Sequence, residues 1–181
     1  MPHLIQTTRL SLRPLTEADF PFMRTIHTNE KIIKHLGNGT PKSEEQSRKG
    51  LELSLKMESD DKRLGSWVVE LKSAGTPIGL LILRKPATKE PTEGIEIGYS
   101  FHPDYWFQGY AQECARALVE YSYQQFGSIR IMALIDPSNT GSRNVLAKTG
   151  FVSVGMTEYV DPSTGLAKAS EVLEIPLVDP R

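Results

Sequence analysis

The 181-residue sequence contains a single cysteine, Cys114, so no disulfide bond can form within the chain. Because such cysteine usage is typical of a reducing compartment, we expect a cytoplasmic protein. The N-terminal residues lack the apolar core and the small-residue cleavage site of a signal peptide. No apolar run reaches the length of a membrane-spanning helix, and we therefore expect no membrane partner.

An excess of charge of one sign is also missing, because 21 basic residues stand against 22 acidic ones. A nucleic-acid partner would favour a basic surface, so none is predicted. The four histidines show no metal-ligand spacing with acidic partners, and no metal is predicted. The length fits one ordinary domain, and we interpret residues 1–181 as that domain. The sequence leaves open whether the protein is a monomer or a homodimer.

The order of the predicted elements indicates an α/β (α+β) fold. One strand is followed by two helices, three strands, a helix, a strand, a short helix and two strands. The predicted strands are residues 9–15, 66–72, 77–85, 94–101, 128–136, 151–160 and 170–177, and the predicted longer helices are 16–29, 43–59 and 109–126. We expect a mixed, mostly antiparallel, twisted sheet of about seven strands flanked by about four helices.

Two further expectations concern single segments. Residues 77–85 are almost continuously apolar, which predicts a strand buried on both faces. Residues 29–42 are rich in turn formers and are interpreted as a loop.

Small residues begin the predicted helix at 109, directly after a strand and a tight loop with the sequence WFQGYAQE. The first N–H groups of a helix have no partner within it, and the helix dipole adds positive potential there. Such a terminus binds phosphate, and Gly109 would let a ligand approach the backbone. The alternative is that Gly109 only permits close packing of helix on sheet. Neither Gly-Lys-Ser/Thr nor G-x-G-x-x-G is present here, which disfavours a P-loop and a dinucleotide fold.

WFQGYAQE resembles the W-G-x-G-Y-A-x-E element of the GNAT superfamily, in its RimJ/RimL-like branch. Other pieces follow in that branch's order, from about residue 7 to residue 177. They are residues 7–20 (TTRLSLRPLTEADF), residues 95–101 (IEIGYSF), and Asn139, Ser142, Gly150 and Phe151 in the pattern N-x-x-S-x₇-G-F.

The resemblance implies an N-acetyltransferase that uses acetyl-CoA and releases coenzyme A. The acceptor would be a primary amine, either the α-amine of a protein N-terminus or a small molecule. It would attack the thioester directly in a ternary complex. A second hypothesis is that the protein is a non-catalytic acyl-CoA-binding or regulatory module on the same fold, because a fold does not fix a function.

The resemblance also implies which residues bind the cofactor. Backbone amides of one loop would hold the diphosphate, one strand edge would pair with the pantetheine arm, and the start of the later short helix would complete the site. These residues are Gln108, Gly109, Tyr110, Ala111 and Gln112, then Tyr99, Ser100 and Phe101, and finally Asn139 and Ser142. Asn139 is equally suited to be a helix N-cap.

Two catalytic residues are expected. Glu96 is the candidate general base because EIGY aligns with the strand that carries the base in many relatives; a solvated strand glutamate is the alternative. Ser142 is the candidate proton donor to the leaving thiolate, because Leu146 stands where many relatives have a tyrosine.

Phe107 replaces the usual glycine of W-G-x-G. Either its ring turns outward, which we favour, or cofactor affinity is reduced.

Overall fold

The computed structural model describes residues 4–176, whose eight strands form one open sheet. The strands are β1 (Ile5–Gln6), β2 (Leu10–Pro14), β3 (Gly65–Leu71), β4 (Thr76–Arg84), β5 (Ile95–Phe101), β6 (Ile131–Ile135), β7 (Val152–Val160) and β8 (Ala167–Glu174). The helices are α1 (Phe20–Thr28), α2 (Glu30–Ile33), α3 (Glu44–Asp60), α4 (Tyr110–Phe126) and α5 (Thr140–Ala147). Short 3₁₀ turns span Glu17–Asp19 and Pro103–Tyr105.

The strands lie in the order β1-β2-β3-β4-β5-β6-β8-β7, and only the β5–β6 pair is parallel. The expected mixed, mostly antiparallel sheet is therefore confirmed. The structure adds the two-residue strand β1, and the predicted last strand ends at residue 177, outside the described residues. Within residues 4–176, no helix is long and apolar enough to cross a membrane.

The expectation of a loop over residues 29–42 is wrong at its start, where α2 forms one helical turn. The side chain of Asn29 accepts a hydrogen bond from the N–H of Lys31 and so caps this turn. Ile32 and Ile33 are buried beneath it. A single turn is too short to show helical periodicity, and its stability comes from this tertiary burial.

The prediction that β4 is buried on both faces is also wrong. Leu81 and Leu83 are buried in the main core, whereas Leu80 and Ile82 are only half-buried. Both half-buried side chains line a cavity of about 240 Å³, referred to below as the central cavity. One face of β4 therefore packs in the main core, and the other face lines the central cavity.

Helix α4 packs against the sheet through small and apolar residues. Cys114, Ala115 and Leu118 are fully buried in the main core. Burial raises the pKa of the Cys114 thiol well above its usual range, so the thiolate is disfavoured. Cys114 is therefore a packing residue in this fold.

The two parallel strands separate soon after they meet. Within the described chain, β5 and β6 are in register only at Ile95 with Ile131 and at Glu96 with Met132. Beyond Glu96, β5 continues against β4 alone, while β6 pairs with β8. The later half of β5 therefore presents one backbone edge to the gap between the strands, next to the central cavity.

Candidate functional site

The loop that follows β5 leads directly into the first turn of α4. Gly109 is the N-cap residue with φ of 81°, a left-handed conformation that favours glycine. It offers no side chain to cap the helix, so in the described chain the first-turn amides receive no side-chain acceptor. Gln108 and Gly109 are exposed to solvent. These amides and the helix dipole suit an anion such as a diphosphate.

Phe107 has φ of 60° and is the one non-glycine residue with positive φ in residues 4–176. Its side chain is 99% exposed, so the ring is turned outward and does not fill the space over the helix start. The geometry matches the outward orientation favoured from the sequence. It leaves the amides of the loop open.

A side-chain cluster from the turn between β1 and β2 holds this loop in place. The Arg9 guanidinium donates from Nε to Glu113 Oε2 at 2.7 Å and from Nη1 to the carbonyl of Gln108 at 2.9 Å. Thr7 Oγ1 and the Arg9 N–H both donate to Glu113 Oε1. The Arg9 guanidinium also lies 4.4 Å from the centre of the Tyr110 ring. This cluster has no signal in the sequence, because its partners lie about a hundred residues apart.

The site residues predicted on β5 and α5 meet at the central cavity. Tyr99, Ser100, Asn139 and Ser142 all line it. Phe101 does not: its ring lies against Gly79, where an added Cβ would come within 2.6 Å. The cavity runs along the open edge of β5 from Glu96 to Ser100, and the loop that leads to α4 begins where β5 ends.

Asn139 and Ser142 are joined at the start of α5. The Asn139 side chain accepts a hydrogen bond from the Ser142 N–H at 3.0 Å, so Asn139 is the N-cap of this helix. The Ser142 hydroxyl lies 3.0 Å from the Tyr99 hydroxyl. Burial raises the pKa of Tyr99 to about 12, although its hydrogen bond to Ser142 acts in the opposite direction. Tyr99 is thus a neutral phenol over the whole physiological range.

Glu96 is buried, with 3% of its surface exposed, and it lines the central cavity. It is not on a solvated face. Arg84 donates from Nη2 to Glu96 Oε1 at 2.6 Å, and the Ala87 N–H donates to Oε2 at 2.8 Å. Each carboxylate oxygen keeps a second lone pair, so Glu96 can still accept a hydrogen bond from water. Sequence analysis did not foresee the Arg84 partner.

The other carboxylates of the cavity are also paired with cations. Lys168 forms an ion pair with Asp136, and Lys42 lies 2.9 Å from Asp161. Burial opposes ionisation of Asp136, but hydrogen bonds from Lys168 and Ser138 outweigh it and lower its pKa to about 2. Burial likewise opposes ionisation of Asp161, whose pKa is nevertheless held below its usual range by Lys42 and Ser163. The charged side chains of the cavity wall therefore balance one another.

Among residues 4–176, no group of three or more His, Cys, Asp or Glu side chains could hold a metal ion. Tyr159 lines the cavity beside Arg84, whereas Trp67 is fully buried in the core against Tyr121.

The fold is an α/β sheet with an open helix N-terminus, a free backbone edge between diverging strands and an adjoining cavity. An open helix N-terminus of this kind suits an anionic group. The family described as "Acetyltransferase (GNAT) domain" matches residues 9–152, which is most of the chain. The chain belongs to this family and is an acetyl-CoA-dependent N-acetyltransferase.

Relatives of similar length support the same fold and class. The chain is 27% identical over 178 residues to the uncharacterized N-acetyltransferase YoaA of Bacillus subtilis, covering 98% of each chain. It superposes on an acetyltransferase from Agrobacterium tumefaciens with a TM-score of 0.78 at 23% identity, covering 96% and 94% of the two chains. RimJ of Mycobacterium smegmatis, solved with CoA-disulfide, gives a TM-score of 0.73 at 21% identity, covering 96% of this chain and 87% of RimJ.

Proposed function

We propose that this protein transfers acetyl from acetyl-CoA to a primary α-amine, by direct attack in a ternary complex. The observation that carries the proposal is the continuous path from the open amides at 108–112, along the free edge of β5, to the central cavity. A diphosphate at one end of this path would leave the thioester arm lying beside β5. The acceptor would then enter from the cavity.

The donor half of the site consists of backbone groups. Amides of Gln108 through Gln112 would hold the diphosphate, with Arg9 fixing the carbonyl of Gln108. The free edge of β5 at Tyr99 and Ser100 would pair with the pantetheine amides and donate to the carbonyl oxygen of the acetyl group. The carbonyl of Phe101 already accepts a hydrogen bond from Trp106 Nε1 at 2.7 Å, which leaves it one lone pair for the cofactor.

Two residues that line the cavity, Glu96 and Ser142, would carry out the proton transfers of the reaction. Acetyl-CoA supplies an activated thioester, and the acceptor amine must be neutral to attack it. Glu96 would receive the amine proton through a water molecule, because its two oxygens are already engaged by Arg84 and Ala87. Ser142 would donate to the departing sulfur, with its hydroxyl held by Tyr99.

The charge balance of the cavity favours an acceptor with one amine over a polycation. Glu96, Asp136 and Asp161 each have a cationic partner within the chain, so none is left to bind a second ammonium group. An α-amine has a pKa of about 8, against about 10.4 for a lysine side chain, and so needs less help to become neutral. These two points support an α-amine acceptor. A cytoplasmic location remains a prediction from the cysteine content.

The test is an acceptor panel that follows release of the coenzyme thiol. It would contain an unblocked short peptide, its N-acetylated form as the matched control, an amino-acid amide, spermidine and an aminoglycoside. We expect amine-dependent thiol release with the unblocked peptide or the amide, and none with the blocked peptide. Acetyl-CoA binding by calorimetry without amine-dependent release from any acceptor would contradict the proposal.

A further inference from the structure

Phe107 has two energetically unfavourable features, a strained backbone and an exposed aromatic ring, and no contact in the described chain compensates for them. A phenylalanine at φ of 60° is strained, because its Cβ crowds the following carbonyl oxygen. Its ring is also 99% exposed and gains no packing in return. Strain of this kind persists where the surrounding structure imposes it, and it is common at ligand sites.

The neighbours of Phe107 impose this conformation from both sides. Trp106 is fixed by its Nε1–H bond to the carbonyl of Phe101 at 2.7 Å. Gln108 is fixed twice, by its side chain donating to the carbonyl of Asp104 and by its own carbonyl accepting from Arg9. With both flanking residues anchored, the ring of Phe107 is held out into solvent at the edge of the loop.

We propose that the Phe107 ring is a stacking surface for the adenine base of the coenzyme. The inference rests on the proposed function, because it takes the diphosphate to lie on the amides that begin at Gln108, one residue away. The thioester arm would run from there along β5, so the nucleoside end must leave on the solvent side of the loop. A flat heteroaromatic base stacks on an exposed aromatic ring, and both faces of this ring are free.

The test compares coenzyme A with 4′-phosphopantetheine by calorimetry. The second ligand lacks the whole nucleotide half of the coenzyme, so it has no adenine and keeps only one of the two phosphates of the diphosphate. We expect Phe107→Ala to weaken coenzyme A binding about tenfold, in keeping with the loss of one base–aromatic stack, and to leave 4′-phosphopantetheine binding unchanged. Phe107→Tyr, which keeps a six-membered aromatic ring, should retain the affinity of the natural protein. Phe107→Gly should weaken coenzyme A binding equally while raising the thermal stability of the free protein, because it relieves the strain.

Several results would overturn this inference. Unchanged coenzyme A affinity in Phe107→Ala would show that the ring does not contact the coenzyme. An equal loss for both ligands would show that residue 107 acts through the shape of the loop. Loss of self-association in Phe107→Ala with full coenzyme affinity would assign the ring to a contact between two copies. If the unsubstituted protein binds neither ligand, the proposed function itself fails.

Discussion

The hydroxyl of Tyr99 lies 3.0 Å from Oγ of Ser142 and joins the later half of β5, which has one free edge, to the first turn of α5. Because burial raises the pKa of Tyr99 to about 12, the phenol stays protonated at any working pH. The single phenolic proton has two acceptors, Oγ of Ser142 and the Ser142 carbonyl at 3.3 Å. When it is donated to Oγ, the serine proton is free for another acceptor. Chained hydrogen bonds of this kind strengthen one another. Tyr99 is therefore a positioning residue for Ser142 in the proposed reaction.

Tyr99→Phe should lower kcat about tenfold while KM for acetyl-CoA changes little. This loss is smaller than the roughly hundredfold or more of a direct acid–base group, because Tyr99 acts only through Ser142. Ser142→Ala should have a similar or larger effect. If the two hydroxyls act as one unit, the double variant should be no slower than Ser142→Ala alone. The measurement is a double-mutant cycle on kcat, with coenzyme affinity followed by calorimetry. Additive losses, or a Tyr99→Phe defect confined to stability, would remove Tyr99 from the mechanism.

Gly109→Glu should abolish the thermal stabilisation that acetyl-CoA gives, because it adds charge and bulk at the diphosphate site. The natural protein should gain about 2.7 kcal/mol at a hundredfold excess of ligand over Kd. Gly109→Ala is the matched control, since it shares the strain of a side chain at φ of 81° without the charge. Both free variants should be destabilised by about 1 kcal/mol. A retained shift in the glutamate variant would place the diphosphate elsewhere.

Glu96→Gln should reduce both stability and turnover, for separate reasons. The substitution leaves the buried Arg84 guanidinium without its counter-charge, which costs about 3 kcal/mol of unfolding free energy. It also removes the proposed base. Urea unfolding gives the first quantity, and kcat/KM across pH gives the second.

The double variant Glu96→Gln with Arg84→Met separates these two effects. Removing both charges should restore most of the lost stability, because no unpaired ion remains in the cavity wall. Turnover should stay low, since the carboxylate is still missing. Recovery of turnover together with stability would show that Glu96 serves only to neutralise Arg84.

The sequence predicted the parts of this molecule that are encoded locally. The strand at 94–101, the loop through Trp106 and the helix from Gly109 follow from alternation, small residues and helix-end chemistry within about thirty residues. The same holds for Asn139 as a helix cap. Helix α2 was missed because one turn carries no periodic pattern.

Side-chain partnerships between distant segments could not be predicted in this way. Tyr99 meets Ser142 across 43 residues, and Arg9 meets Glu113 across 104. Even Arg84 and Glu96, only 12 residues apart, pair because β4 and β5 are antiparallel neighbours in that register. A pattern in one segment does not specify the register of another, so the sequence identified Glu96 without its partner.

The pH dependence of stability should report on His27, which is half-buried beside the cavity. Its Nδ1 lies 3.0 Å from Ser47 Oγ. Desolvation, followed by the positive charges of Lys42 and Arg24, lowers the pKa of His27 to about 4. A histidine in the unfolded chain has a pKa of about 6.5, so between these values the unfolded state binds the extra proton.

Stability due to His27 should therefore be complete above pH 6.5 and decline as the pH falls towards 4. We expect a loss of about 1 to 2 kcal/mol between pH 7 and pH 5, after allowance for screening of a partly exposed group. Urea unfolding at the two pH values measures it. His27→Gln, which keeps a polar side chain but cannot titrate, should lose less stability over the same interval. Identical slopes in the two proteins would show that His27 is protonated without penalty in the folded state.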